Sequence, residues 1–409
     1  MKNRMAKPKH LGVTILAIAF TALLSVTACA PAPALPAERT VEIGLLGCLT
    51  GAGATAAQPL FLGILDYVTY FNEEKGIPDV TIELVWRDTG TEVVRAITNY
   101  NVLADRGVPL ITCDDGRPIE PLMSQLEKDQ IPLFTGNTQT NFVYPPGWVF
   151  TAWSTHAEAA TLVFDYFRGN WKEERPPKLQ FFIMDSAYGW DLVEDATRYA
   201  QSIGFEVLPI EVGAHVIVDA TVQMLRIRER GANLVYFQHI ITGAGPAMRD
   251  AERLGLTGEM QFASNQLVLG EPLIEMVPVG VEGFLAPRPL PWIDETEIPG
   301  VKTMIDKELE YRGKIQEEPE YITGWVYGAV MCEALERALE EAGYENLDGP
   351  AVKRALESIQ DFDVDGMVKF TFGPEDRRGS RDFALYQVQG GKIVRITDYR
   401  EAPILVPTE

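Results

Sequence analysis

Val41-Glu42-Ile43-Gly44-Leu45-Leu46-Gly47, followed by Cys48-Leu49-Thr50-Gly51-Ala52-Gly53-Ala54-Thr55, decides the fold class. The first run is short and almost wholly apolar, as expected of a strand buried on both faces. The second is small, polar and Gly-rich. Beyond it, Phe61, Ile64, Leu65, Val68 and Phe71 fall on one helical face over 58–75, and Gly76 stands where a helix closes. Strand, loop, helix is the unit of a parallel sheet.

Working outward, the unit repeats. Strands are expected at 80–86, 108–112 and 131–135, with helices at 91–105 and 117–129 between them. A second block follows position 155, with strands at 179–184, 205–211, 233–237 and 260–263. Its helices are expected at 156–169, 188–203, 218–230 and 244–254. The segment 281–288 leads to helices near 299–312, 320–342 and 349–359. Two antiparallel strands, 383–388 and 392–397, follow around Gly390-Gly391. Strict alternation implies α/β architecture with parallel sheets covered by helices. Two blocks imply two Rossmann-like lobes. The late helices have no third sheet to cover, so the chain must cross between lobes several times, which suits a hinge.

The N-terminus reads as a processing segment. Lys2, Arg4, Lys7 and Lys9 precede an apolar run, 11–26, shorter than the ~20 residues of a spanning helix. It ends in Val26-Thr27-Ala28-Cys29, which resembles the lipobox of bacterial lipoproteins, whose cysteine is acylated and becomes the first residue. Segment 1–28 is therefore expected to be a lipoprotein signal, and the Ala/Pro-rich segment 29–39 an extended tether. The 409 residues carry 36 basic and 58 acidic side chains, a net charge of −22. Loss of four basic residues with the signal leaves the mature chain more acidic still. Such a chain has no basic face for nucleic acid and is repelled by anionic membranes, so lipid alone would tether it. Removal of Cys29 leaves three cysteines. A bridge between Cys48 and Cys113, both near strand ends, is left open.

Catalytic signatures are missing. Neither a G-x-x-x-x-G-K-[ST] phosphate loop nor a G-x-S-x-G nucleophile turn occurs, and the glycines after the first strand lack the dinucleotide spacing. The four histidines are scattered. No enzyme activity, metal or cofactor is expected. Ligands of open α/β sheets bind beyond the carboxyl ends of the strands, which selects Thr50, Asp115, Gly116, Arg117, Asn137 and Gln139 in the first block. In the second it selects Tyr188, His239 and Gln266. Each has a structural alternative: Asp114 and Asp115 as helix caps, Arg117 as a surface charge or partner of Asp114, Asn137 and Gln139 as turn formers. Tyr188 also reads as a packed aromatic, and His239 as a satisfied polar residue at a strand end.

The order of these motifs resembles the branched-chain amino acid type of substrate-binding lipoprotein of ABC transporters. The resemblance is carried by 41–47 leading to Leu49-Thr50-Gly51, by Phe71-Asn72-Glu73-Glu74-Lys75-Gly76, by Asp185-Ser186-Ala187-Tyr188-Gly189, and by Phe370-Thr371-Phe372-Gly373. It spans about 40–400 and implies a type I periplasmic-binding-protein fold: two lobes joined by a three-crossover hinge. It divides the chain into 40–153 plus about 287–365 for the N-terminal lobe, and 154–286 plus about 366–400 for the C-terminal lobe. It implies a monomeric, lipid-anchored extracytoplasmic receptor. The receptor would capture a small polar solute and deliver it to an ABC permease. A ligand-sensing receptor signalling through a separate membrane partner is the rival. The chain has Gly116 where the family's amino-acid binders have a small hydroxyl residue, and Gln266 where they have an acid. Amino acid, amide and related ligands therefore stay open.

Cys29→Ala should leave the protein unprocessed or release it from membranes. Unchanged acylation and membrane partitioning of the variant would contradict the lipoprotein reading.

Overall fold

β1 (Arg39–Gly47) pairs in parallel with β2 (Val80–Asp88), and α1 (Ala54–Tyr70) connects them. The structure, a computed structural model, describes residues 39–315 and 318–407. Cys29 and most of the expected tether lie outside these residues, although strand has already begun at Arg39. The first lobe continues through α2 (Val93–Arg106), β3 (Ile111–Cys113), α3 (Ile119–Asp129), β4 (Leu133–Thr135), α4 (Thr140–Val143) and β5 (Val149–Trp153). The three residues of β3 and of β4 are all buried, as expected of strands covered on both faces.

The chain then crosses. Thr155 caps α5 (His156–Asn170) in a reciprocal capping box with Glu158. The second lobe comprises β6 (Lys178–Met184), α6 (Ala187–Asp191), α7 (Val193–Ser202), β7 (Glu206–Val207) and β8 (Glu211–Gly213). It continues through α8 (Thr221–Arg230), β9 (Leu234–Gln238), α9 (Ile241–Arg253), β10 (Gln261–Ser264), α10 (Glu271–Met276) and β11 (Leu285–Arg288). A second crossing leads to α11 (Pro299–Arg312), α12 (Pro319–Ala342) and α13 (Gly349–Glu357), then to the small β12 (Phe362–Asp363) and β13 (Lys369–Phe370) pair. β14 (Arg378–Ser380) is the last strand of the first lobe. After a third crossing come β15 (Asp382–Gln389), β16 (Lys392–Arg395) and β17 (Arg400–Glu401).

The first sheet has six strands, all parallel, in the order β14-β5-β4-β3-β1-β2. The second follows β16-β15-β11-β10-β9-β6-β7, parallel except where β15 and β16 add an antiparallel edge. Gly390 and Gly391 both take positive φ between β15 and β16, the geometry of a two-residue hairpin turn.

Several boundaries differ from the sequence expectation. The final return to the second lobe, expected at about 366, comes only at Arg381, because β14 pairs with β5 in the first sheet. The second crossing begins after Arg288, close to the expected position of about 287, since β11 pairs with both β10 and β15. The single strand expected over 205–211 is two, separated around Pro209, whose missing N–H breaks a ladder. The helix expected over 188–203 is broken at Leu192 into α6 and α7. β5 is an additional strand of the first block.

α12 packs lengthwise on α1. A Cβ on Gly324 would overlap the Leu60 carbonyl, and one on Gly63 the Tyr321 carbonyl, so the two backbones meet where neither carries a side chain. Below this contact Asp66, 3% exposed, receives Arg312 through Nε (2.5 Å) and Nη2 (2.6 Å) and the Tyr321 hydroxyl (2.8 Å). Trp325 stacks on Tyr70 with centroids 5.4 Å apart. These contacts fix the second crossing's helices to the first lobe.

Gly324→Ala should separate propensity from packing. In an exposed helix the change gains up to about 1 kcal/mol; here the overlap should reverse the sign, with a net loss of about 1–3 kcal/mol in denaturant unfolding. A neutral or stabilised variant would contradict the close approach.

Candidate functional site

The loops at the carboxyl ends of the first sheet form one hydrogen-bonded network. Thr50 donates its amide (3.0 Å) and hydroxyl (2.6 Å) to Asp88 at the end of β2. Asp88 also receives Gly90 N–H and Arg95. Thr91 donates its hydroxyl to the Thr50 carbonyl (3.1 Å), and Arg117 Nη2 donates to the Thr91 carbonyl (3.2 Å). Asp115 accepts the Arg117 amide (3.0 Å) and grips its guanidinium through Nε and Nη2. Arg117 thus pairs with Asp115, not with Asp114.

Asp114 turns inward and takes the Cys48 amide on both oxygens (3.2 and 3.0 Å). Burial, reinforced by the neighbouring Asp115 charge and opposed by the Cys48 amide, pushes its carboxyl up to about 6. Cys48 and Cys113 are free and buried, so the bridge left open by sequence is not formed. Asn137 donates Nδ2 to the Asp114 carbonyl (3.0 Å) and to Thr135 Oγ1 (3.1 Å). Its side chain lies over Gly116, where a Cβ would stand 2.9 Å from Oδ1. Gln139 sits in extended backbone immediately before α4.

The second lobe gathers Tyr188, Gln238, His239 and Asn265. Asn265 Nδ2 donates to the Tyr188 hydroxyl (2.8 Å), to Gln238 Oε1 (3.2 Å) and to the His239 carbonyl (3.0 Å). The Tyr188 ring stands edge-on to His156, centroids 4.9 Å apart. Burial raises the phenol and keeps it protonated. His239 was selected as a ligand contact, but its ring is fully buried and used inside the lobe. Nδ1 accepts the Ile240 amide (2.9 Å) and Nε2 lies 3.1 Å from the Ala214 carbonyl, which requires the proton on Nε2. Burial lowers its pKa and keeps it neutral. Gln266, half-buried, follows Asn265 directly.

The two sets of loops meet. Thr140, opening α4 in the first lobe, donates its amide to Asp191 Oδ1 at the end of α6 in the second, at 2.9 Å. Burial pushes the Asp191 carboxyl up to about 6, against the two Thr140 contacts that favour the charged form. Reading the sequence placed Thr140 and Asn265 in strand-end loops without selecting them, and missed Asp191 and Asp88. The signal for Asp191 lay beside a motif already chosen, in Tyr188-Gly189-Trp190-Asp191.

A second concavity of 710 Å³ lies beside the second crossing, lined in part by Trp292, Asp294, Glu297 and Thr397. Its central carboxylate, Glu295, is occupied by Trp292 N–H, the Tyr386 hydroxyl and Arg395. That arrangement holds the β15–β16 edge. Among the described residues no group of three or more His, Cys, Asp or Glu is placed to hold a metal ion. No helix there is long and apolar enough to cross a membrane.

Two α/β lobes joined by three chain crossings, with strand-end loops of each facing the other, define the bilobal solute-binding class. The chain belongs to the periplasmic binding protein family, whose profile matches residues 40–392. This is a family of extracytoplasmic solute-binding proteins, not of enzymes. Solved structures share the fold at low identity. A branched-chain amino acid ABC transporter protein from Thermus thermophilus with bound valine matches at TM-score 0.80 and 21% identity, covering 89% of this chain and 97% of that one. A fatty acid ABC transporter substrate-binding protein from Thermomonospora curvata matches at TM-score 0.77 and 16% identity, covering 90% and 95%. A possible leucine/isoleucine/valine-binding protein from Rhodopirellula baltica matches at TM-score 0.76 and 16% identity, covering 90% and 98%. No curated protein sequence matches the chain.

Asp114 makes a pH prediction. Its folded pKa lies above the ordinary carboxylate value, so the folded state holds the proton more tightly and this group's contribution to stability falls as pH rises through about 6. Asp114→Asn keeps an acceptor for Cys48 and removes the titration. Between pH 5 and pH 7 the variant's unfolding free energy should fall by about 1 kcal/mol less than that of the wild type. Identical pH profiles would contradict the assigned burial.

Proposed function

We propose that the protein is an extracytoplasmic receptor that captures a small polar organic solute between its lobes and delivers it to an ABC import permease. On this reading it is monomeric and held at the membrane through acylated Cys29. The observation that carries the reading is the Thr140–Asp191 hydrogen bond, which joins the strand-end loops of the two lobes directly. The family and the ABC-transporter neighbours support it.

The first lobe offers the solute the Thr50, Asp115, Gly116, Arg117, Asn137 and Gln139 edge; the second offers Tyr188 and Gln266. Much of this edge is already hydrogen-bonded internally, which holds its backbone groups and side chains in place before the solute arrives. Tyr188 is fixed by Asn265 and His156, so it presents its ring rather than a free hydroxyl. His239 contributes indirectly, through the carbonyl that receives Asn265. A solute that touches both edges favours the closed arrangement by its differential affinity for it. The permease then reads the closed surface.

A thermal-shift screen of amino acids, amides and organic acids on the protein lacking residues 1–38 should find a stabilising solute. X-ray scattering with that solute at saturation should show a smaller radius of gyration than without it. An unchanged profile at proven saturation would overturn closure.

A further inference from the structure

Asp66, Glu211, Asp250 and Asp195 are buried carboxylates matched by arginines from their own lobe: Arg312, Arg226 with Arg230, Arg253, and Arg198. Glu158, at the hinge, has Arg378. Asp191, at the seam between the lobes, is met by Thr140 instead. The Thr140 amide donates to Oδ1 at 2.9 Å, and the Thr140 side chain is a second contact of the same carboxyl. Asp191 Oδ2 and Thr140 Oγ1 are both buried. Every donor Thr140 brings is neutral.

The surrounding elements add no counter-charge. α4, Thr140-Asn141-Phe142-Val143, carries none. On the second-lobe side stand Tyr188, which burial keeps protonated, and against it His156, which burial lowers to about 4 and keeps neutral above pH 5. Asp185, ahead of α6, faces Trp190 Nε1 at 3.5 Å. In α7, Asp195 disfavours ionisation of Asp191 and is itself held by Arg198, with Glu194 beside it.

Separating the lobes removes Thr140 and returns water to this carboxyl. Water favours the charged form, whereas a cover of neutral donors favours it less. Resting on the reading that the lobes open and close on a solute, we propose that Asp191 is the latch of the closed arrangement and that closing takes up a proton there. The neutral carboxyl still accepts the Thr140 amide, and its own O–H can donate to Thr140 Oγ1. Burial raises the Asp191 carboxyl to about 6 against the Thr140 contacts, and parting of the lobes returns it toward the ordinary carboxylate range. The closed arrangement therefore gains as pH falls through about 6. Above that pH the carboxylate is charged in both arrangements and the gain is gone. Solute capture inherits this dependence and strengthens about tenfold from pH 7 to pH 5.

The test is hydrogen exchange at the Thr140 amide of the full mature chain, without added solute, at pH 5 and pH 8. Each rate is divided by that of an unstructured amide at the same pH. Relative protection at Thr140 should be about tenfold higher at pH 5, while that at Ser154, bonded to Ser380 in the hinge, stays level. Asp191→Asn, neutral at every pH and still an acceptor, should keep the pH 5 protection at both values. Carbon-13 titration of the wild-type Asp191 carboxyl serves if the variant folds poorly. Its midpoint should lie near 6, and an ordinary midpoint of about 4 would contradict the latch. Equal relative protection of Thr140 at both pH values, or a pH response that survives in Asp191→Asn, would overturn this inference and leave the receptor reading standing. Failure of every screened solute to stabilise the protein would overturn the receptor reading and leave the latch standing.

Discussion

Glu158 carries a carboxylate with no exposed surface, one turn into the helix that follows the first lobe crossing. Desolvation raises its pKa, and three donors from separate parts of the chain oppose that shift: the Arg378 guanidinium from β14, the Thr155 amide at the crossing, and the Leu405 amide near the C-terminus. Removing one partner of a buried pair leaves a charge that costs several kcal/mol, so these segments are obliged to stay together. Around the pair the first and third crossings lie side by side. Ser154 N–H donates to the Ser380 carbonyl, and Ala402 N–H to that of Arg381. The chain thus leaves and re-enters the second lobe through one hydrogen-bonded ribbon, and the second crossing, 289–298, runs separately. On the receptor reading, the lobes turn about this anchored ribbon.

The asymmetry between hinge and cleft follows from charge pairing. At the hinge, both oxygens of the buried Glu158 carboxylate are answered by the protein's own donors. At the cleft, Asp191 meets Thr140, a neutral donor from the other lobe. Thr50, Asp115 and Arg117 look functional in sequence, yet Thr50 is held by Asp88 and Thr91, and Asp115 and Arg117 hold each other, forming a rigid wall rather than free hooks.

Alternation of apolar runs with amphipathic segments was enough to read two parallel-sheet lobes, because the 3.6 and continuous-apolar patterns leave little ambiguity in buried strands. The hinge was only partly legible. β14 is Arg378-Gly379-Ser380, three residues with no apolar signal, and its place is set by pairing with β5 and by Glu158, both remote in sequence. The strand-end rule selected the loops holding Thr50, Asn137 and Tyr188, which follow β1, β4 and β6. It did not reach Asp191, because a helix was expected through 188–203 and no Gly or Pro marks the break at Leu192. It also promoted His239, whose burial against Ala214 depends on a loop 25 residues earlier in the chain.

The most direct test of the account is amide hydrogen exchange at Thr140 and Ser154, followed with and without a stabilising solute. The Thr140 amide bonds across the cleft, and the Ser154 amide bonds within the hinge ribbon. Solute should slow exchange at Thr140 strongly and leave the already protected Ser154 unchanged. Equal protection of Thr140 in both states, or loss of protection at Ser154 on closure, would contradict a receptor whose lobes turn about a fixed hinge and meet at Asp191.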